Sequence, residues 1–169
     1  MTYKILVAAI IGVALILVTS GNAFATSSWQ HVVSGSVTPN NEQTTTLSVT
    51  ASGVIPRHTD VLGGFAWLYT NGPNTVFVAV THTGVRDSTQ NPDGWHAHNV
   101  QLAFGATPNT AACIVGLSDA NVGLSIHGNM LTVNARNSEL TGRFSGVATA
   151  FTIVPDSGCV VTGLGINLS

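Results

Sequence analysis

Two histidines separated by one residue stand in the segment Gly94–His98, whose sequence is GWHAH. Residues two apart on a β-strand point to the same face, because side chains alternate with a period of two. His96 and His98 could therefore contact a single metal ion. A third imidazole, His82, ends the valine-rich and strand-like segment Thr75–His82. Since neutral imidazole is a common ligand of copper and zinc, these three histidines form a candidate metal site.

Two strands joined by a loop must position these side chains. The segment between Thr75–His82 and Trp95–Phe104 carries Asn-Pro and Asp-Gly pairs, which are typical of turns. An antiparallel pairing in an even register would oppose Val80 to His98 and His82 to His96. Opposed residues lie roughly 5 Å apart at Cβ, close enough to share a ligand. We expect the histidines on the core side of the sheet, near its rim.

A structural role for the same histidines is the alternative. A buried imidazole can bond to backbone carbonyls, to a hydroxyl, or to loop carboxylates such as Asp87 and Asp93. An HxH pair in a β-protein is more often structural than ligating. The spacing, the shared parity with His82 and the lack of other polar residues on that face favour a metal.

The remaining histidines are less specific. His127 precedes the Gly-Asn pair of a predicted tight hairpin and is a candidate fourth ligand. His58 stands in a loop-like stretch and is expected in a solvated turn. His31, near the start of the predicted mature chain, is expected on the surface.

The N-terminus predicts export. Lys4 supplies a positive start, Ile5–Val18 is an uninterrupted apolar run, and Ala23-Phe24-Ala25 fits a small-x-small cleavage site. The run is shorter than the roughly 20 residues that span a membrane. We expect residues 1–25 to be a cleaved secretory signal peptide and residues 26–169 to be one domain. The protein would then be secreted or extracytoplasmic, at a cell surface or in a periplasm-like space, with no membrane span after cleavage.

Composition limits the classes of partner. The chain has 5 basic and 7 acidic residues and a formal net charge of −2, which cannot build the basic surface that nucleic acid or an anionic membrane requires. Its surface must be covered by Thr, Ser, Asn, Gln and Gly, and low charge favours self-association or contact with other cell-surface proteins. The chain has no GxSxG nucleophile motif and no glycine-rich phosphate loop between a strand and a helix.

Cys113 and Cys159 are the only cysteines. An even count in an oxidising compartment favours a disulfide. A thiolate metal site is the alternative, but the chain lacks the CxxC spacing that such sites use.

Short β-branched runs separated by Gly, Pro, Asn and Asp recur along the chain, and no segment sustains a helical apolar period. The pattern predicts an all-β protein with an antiparallel β-sandwich, of Greek-key or barrel-like form. The predicted strands are Trp29–Val37, Thr44–Val54, Gly64–Thr70, Thr75–His82, Trp95–Phe104, Ala111–Leu117, Val122–Ile126, Met130–Asn134, Arg143–Val154 and Cys159–Leu168.

The GWHAH segment, following a valine-rich strand and a long loop, resembles the G-F-H-x-H copper-ligand strand of copper–zinc superoxide dismutases. It also resembles the HxH strand of secreted CHRD-type β-domains. The likeness covers roughly Thr75 to Phe104 and implies a β-sandwich in which His96 and His98 are metal ligands. Asn99 to Ala120 contains no histidine, whereas dismutases place zinc ligands there, so the resemblance does not extend to dismutase activity.

Three functions follow as hypotheses. The leading one is an exported β-sandwich that binds one copper or zinc ion through His82, His96 and His98 in a non-catalytic or accessory role. The alternative is a metal-free structural or adhesion protein of a cell surface or matrix. The third is a copper-dependent redox enzyme, since three histidines leave a coordination position for substrate.

Overall fold

The computed structural model describes residues 27–70, 75–81, 91, 94–104, 110–140 and 142–169. The predicted signal peptide therefore lies outside the described residues, as do His82 and the aspartates at positions 87 and 93. Within the described part, the chain is almost entirely β, which confirms the predicted fold class.

Ten strands, numbered β1 to β10 in chain order, form the described part. They span Val32–Pro39, Thr44–Ala51, Gly63–Thr70, Thr75–Thr81, His96–Ala103, Ala112–Ala120, Gly123–His127, Met130–Arg136, Arg143–Pro155 and Leu164–Leu168. Two single-turn 3-10 helices, Ser28–Gln30 and Asn137–Glu139, precede β1 and β9. Every predicted strand has an observed counterpart.

Two differences from the predicted boundaries lie near the ends of the chain. Trp29 belongs to a 3-10 helix and not to the first strand. Cys159 lies in a turn, and the last strand begins only at Leu164. In that turn the Asp156 side chain accepts a hydrogen bond from the Gly158 amide at 2.8 Å, and Gly163 has a positive φ of 71°. Side-chain-to-backbone bonding of this kind competes with strand pairing.

The strands form two layers. A four-stranded sheet has the order β1-β2-β8-β7, and the other six strands close into a barrel with the order β10-β6-β5-β4-β3-β9. All the pairings are antiparallel. The architecture thus combines the two predicted forms, because one sheet of the sandwich is itself a closed barrel.

An aromatic core fills the space between the sheet and the barrel. β2 alternates strictly between buried and half-buried residues, as a strand with one face on a core must. Trp29, Phe65 and Trp95 have ring centroids 5.8–5.9 Å from one another. We call this the interlayer core. It also contains fully buried Trp67 and Leu47.

A second core lies inside the barrel and has a different composition. Its buried members are mainly aliphatic, and only one is aromatic: Ala66, Val76, Val78, Val80, Val100, Leu102, Ala112, Ile114, Phe151 and Ile166. We call this the barrel core. The alternation of side chains along each barrel strand directs one set of residues into the barrel and the other toward the interlayer core.

The predicted disulfide is present. Cys113 on β6 is bonded to Cys159 in the turn before β10, with a Cα–Cα distance of 5.2 Å. The predicted tight hairpin is also confirmed, since Gly128 and Asn129 link β7 to β8 and Gly128 has a φ of 61°. A positive φ is readily accessible to glycine because it lacks Cβ.

Candidate metal centre

β4 and β5 pair antiparallel, as predicted, but the register differs from the expected one by two residues. Val80 lies opposite His96, and Val78 lies opposite His98. The shift is even, so the residues expected on one face still share it. The apolar pattern predicts which residues of each strand face the core. It does not predict the exact pairing, because the connecting loop is long enough to allow several registers that differ by two residues.

His96 and His98 lie on the barrel side of β5, and both are buried, with 3% and 1% of their surface exposed. Their ring centroids are 4.8 Å apart and their planes are nearly perpendicular. Trp95 and Ala97, which alternate with them, are buried in the interlayer core. The opposite face of β5 is therefore also buried at this end.

A backbone carbonyl orients the His96 ring. Nδ1 of His96 lies 2.7 Å from the carbonyl oxygen of Gly94. A carbonyl oxygen can only accept, so this hydrogen bond requires the proton on Nδ1. In the neutral ring, the lone pair is then on Nε2.

A carboxylate orients the His98 ring. Asp119 on β6 lies directly opposite His98 in the strand register. Its Oδ1 is 3.2 Å from Nδ1 of His98, in an electrostatic contact that falls short of an aligned hydrogen bond. The negative charge of Asp119 favours a proton on Nδ1, which again leaves the neutral ring with its lone pair on Nε2.

Both rings thus have an oxygen atom beside Nδ1: a hydrogen-bonded backbone carbonyl for His96 and a carboxylate in electrostatic contact for His98. Metal-ligating histidines typically donate the other ring N–H to a carbonyl or carboxylate, which fixes the tautomer and the ring orientation. His96 makes such a hydrogen bond, and Asp119 places a carboxylate beside the corresponding nitrogen of His98. In both neutral rings Nε2 would then carry the lone pair that can ligate a cation.

The other predicted ligands are placed as follows. His82 follows the last residue of β4 in sequence but lies outside the described residues. His127 is exposed at the end of β7 and, with His58, lines a separate surface groove. Within the described ranges, no three His, Cys, Asp or Glu side chains are grouped so that they could hold a metal ion.

Asp119 is the residue of this site that sequence reasoning missed. The predicted strand ended at Leu117, whereas β6 continues to Ala120. Beyond Leu117 the pattern loses its apolar run, and only pairing with β5 keeps the segment extended. The signal that could have found Asp119 is its position as the only acid between Asn99 and Ala120.

Comparison with known proteins found no matching family model, no matching curated protein and no matching solved structure. The likeness of GWHAH to dismutase and CHRD-type strands therefore remains a resemblance of one segment. In the part of the chain that the structure describes, no helix is long and apolar enough to cross a membrane.

Proposed function

We propose that this protein binds one copper or zinc ion through His96 and His98, with His82 as the third ligand, in a non-catalytic or accessory role. The observation that carries the proposal is the pair of oriented rings. Two buried imidazoles on one strand each have an oxygen atom beside Nδ1, from the hydrogen-bonded carbonyl of Gly94 and from the carboxylate of Asp119. This is the outer-shell arrangement that raises the basicity of ligating histidines.

The surroundings of the two rings also support a ligand role. The barrel core is otherwise apolar, and a buried imidazole there requires polar partners that a valine or leucine would not. An aliphatic side chain would fill the barrel at lower desolvation cost. The presence of two imidazoles at one end of the barrel is therefore better explained by binding than by packing.

We further propose that the protein works outside the cytoplasm. The Cys113–Cys159 bond is compatible with an oxidising compartment, where such bonds persist. The N-terminal sequence supports export independently, through its apolar run and its small-x-small segment.

A metal-free surface or matrix protein is the second candidate. The outer face of the four-stranded sheet carries hydroxyl and amide side chains that pair across strands. Ser36 and Ser48 Oγ atoms are 2.8 Å apart, and Thr46 donates to Asn134 Oδ1 at 2.8 Å. A polar face with few charges suits contact with other surface molecules.

Metal content and thermal stability of the purified protein test the leading proposal. We expect one copper or zinc ion per chain and a rise in melting temperature on metal addition, because a ligand specific for the native state stabilises it. The double variant His96→Ala/His98→Ala should lose both effects, and His82→Ala should weaken them. Binding should also weaken in acid, since only neutral imidazole ligates metal.

His31→Ala is the matched control, because His31 is an exposed histidine far along the chain from the site. It should leave stoichiometry and stabilisation unchanged. If the double variant binds metal as well as the parent does, His96 and His98 are structural and the second candidate is favoured.

A further inference from the structure

A surface groove beside the GWHAH segment has none of the three proposed metal ligands among its described lining residues. It has a volume of about 380 Å³. One wall is β7 from Leu124 to His127, and the other includes Arg57, His58 and Trp95. Trp95 holds the second wall in place, since its indole Nε1 donates to the Pro56 carbonyl at 2.8 Å.

β7 is the edge strand of the four-stranded sheet, and its only strand partner in the described part is β8. The hairpin pairs His127 with Met130 across a two-residue turn. In such a hairpin the two residues that flank the turn are joined by two N–H···O=C hydrogen bonds. Further along the two strands, every second pair of opposed residues is joined in the same way. The N–H and C=O groups of Leu124 and Ile126 therefore point away from β8, along the wall of the groove.

These outward backbone groups make β7 a template for strand addition. Among the described residues, no backbone hydrogen bond outside the β7–β8 ladder reaches Leu124 or Ile126. Their side chains are half-buried against the interlayer core, which anchors the strand to the rest of the fold. β7 also carries no lysine, proline or acidic residue, which proteins commonly use to block an edge.

The charge of the opposite wall indicates what an added strand would carry. Arg57 is exposed at the groove, and in the described part of the chain it forms no ion pair with an acid. Its guanidinium is always charged and matches carboxylate geometry. No acidic side chain is among the described residues that line the groove.

We infer that this groove binds an extended acidic peptide, which pairs its backbone with the free edge of β7 and places a carboxylate on Arg57. Strand addition of this kind derives its affinity from main-chain hydrogen bonds and its specificity from side chains beside the edge. The inference does not depend on metal binding, because none of the proposed metal ligands lines the groove.

A synthetic peptide of alternating valine and threonine, ending in two aspartates, tests the inference by NMR with the ¹⁵N-labelled protein. We expect saturable shifts of the Leu124 and Ile126 amides. Replacing the aspartates by asparagine, or using the Arg57→Gln protein, should weaken binding about fivefold, as loss of an exposed ion pair would. Methylating the peptide amides that face β7 should weaken it about tenfold.

Arg136→Gln is the matched control, since Arg136 is exposed on β8 away from the β7–β8 turn. It should bind the acidic peptide as the parent does. Three results would overturn the inference: no saturable shift of the β7 amides, equal binding of the N-methylated peptide, or equal weakening by both arginine variants.

Discussion

The interlayer core and the barrel core share the strands of the barrel, which contribute alternate residues to each, yet the two cores differ in chemistry. The interlayer core is dominated by aromatic side chains, with Phe65 stacked on Trp95 at 5.8 Å. The barrel core is mainly aliphatic and has two imidazoles at one end. One strand, β5, contributes to both, with Ala97 facing the interlayer core and His96 facing the inside of the barrel.

The aromatic residues of the interlayer core stabilise the fold, whereas the fold positions the two histidines of the barrel core. Large aromatic rings bury much apolar area and contribute strongly to stability. Buried imidazoles contribute less area and require polar partners, here Gly94 and Asp119. We therefore expect replacements in the interlayer core to cost stability in all conditions. Replacements of His96 and His98 should act mainly on the metal-bound state.

Phe65→Ala should give the largest effect. Phe65 is fully buried in the interlayer core, and its truncation should lower the free energy of unfolding by about 3–5 kcal/mol. Urea denaturation measures this loss. Phe104→Ala is the control, because Phe104 is 55% exposed and should change stability by about 0.5 kcal/mol or less. Equal losses in the two variants would show that the interlayer core is not the stabilising layer.

Removal of the disulfide should come next. Cys113→Ala/Cys159→Ala releases a loop closed across 46 positions, which should cost roughly 4 kcal/mol in the chain-entropy treatment. The reduced parent protein should lose a similar amount, and free-thiol titration of the denatured oxidised protein should find no thiol. A stable double variant with unchanged denaturation midpoint would contradict a structural role for this bond.

His98→Leu should have a smaller effect in metal-free protein. We expect a loss of about 1–2 kcal/mol, because leucine fills the barrel and Asp119 is exposed enough to be hydrated. The variant should also lose the stabilisation that metal gives the parent, about 2.7 kcal/mol at a hundredfold excess over Kd. Thermal denaturation with and without zinc separates the two effects. Full metal stabilisation in His98→Leu would remove His98 from the site.

Tyr69→Phe should give the smallest effect and the opposite sign. Burial raises the pKa of Tyr69 from 10.0 to about 12, and its hydroxyl has no hydrogen-bond partner among the described residues. Phenylalanine should therefore stabilise the protein by about 1 kcal/mol at neutral pH. In the parent, Tyr69 ionises in the unfolded chain near pH 10 but in the folded protein only near pH 12. The free energy of unfolding should therefore fall as the pH rises from 10 to about 12.

The Tyr69→Phe variant should not show this alkaline loss. Denaturation midpoints measured across that range, with tyrosinate absorbance as a second readout, check the prediction. If Tyr69 titrates at its ordinary pKa in the folded protein, its hydroxyl is hydrated and its burial does not cause an alkaline loss of stability.

The sequence predicted the strands well because each carries a local period-two or apolar pattern bounded by turn residues. It also predicted that His96 and His98 share a core-facing side, since parity depends only on their spacing. It could not predict the register between β4 and β5, which differs by two residues from the expected pairing. Registers of equal parity bury the same face, so tertiary packing has to select among them.

Long-range closure was also beyond local patterns. The division of ten strands into a barrel and a sheet depends on contacts between distant segments, such as β3 with β9. The same closure brings Asp119 opposite His98. Arg57 and Leu124 line the same groove beside β7 although they are far apart in sequence. No local sequence pattern predicts that they lie close together.

Imidazole ¹⁵N NMR during a zinc titration tests most directly whether the two oriented rings form a metal centre. Without metal, the neutral forms of His96 and His98 should carry their proton on Nδ1, because the Gly94 carbonyl and the Asp119 carboxylate lie beside that nitrogen. One equivalent of zinc should shift both Nε2 resonances together and leave those of His31 unchanged. Protons on Nε2 in the metal-free protein, or Nε2 resonances that do not respond to stoichiometric zinc, would contradict the proposed site.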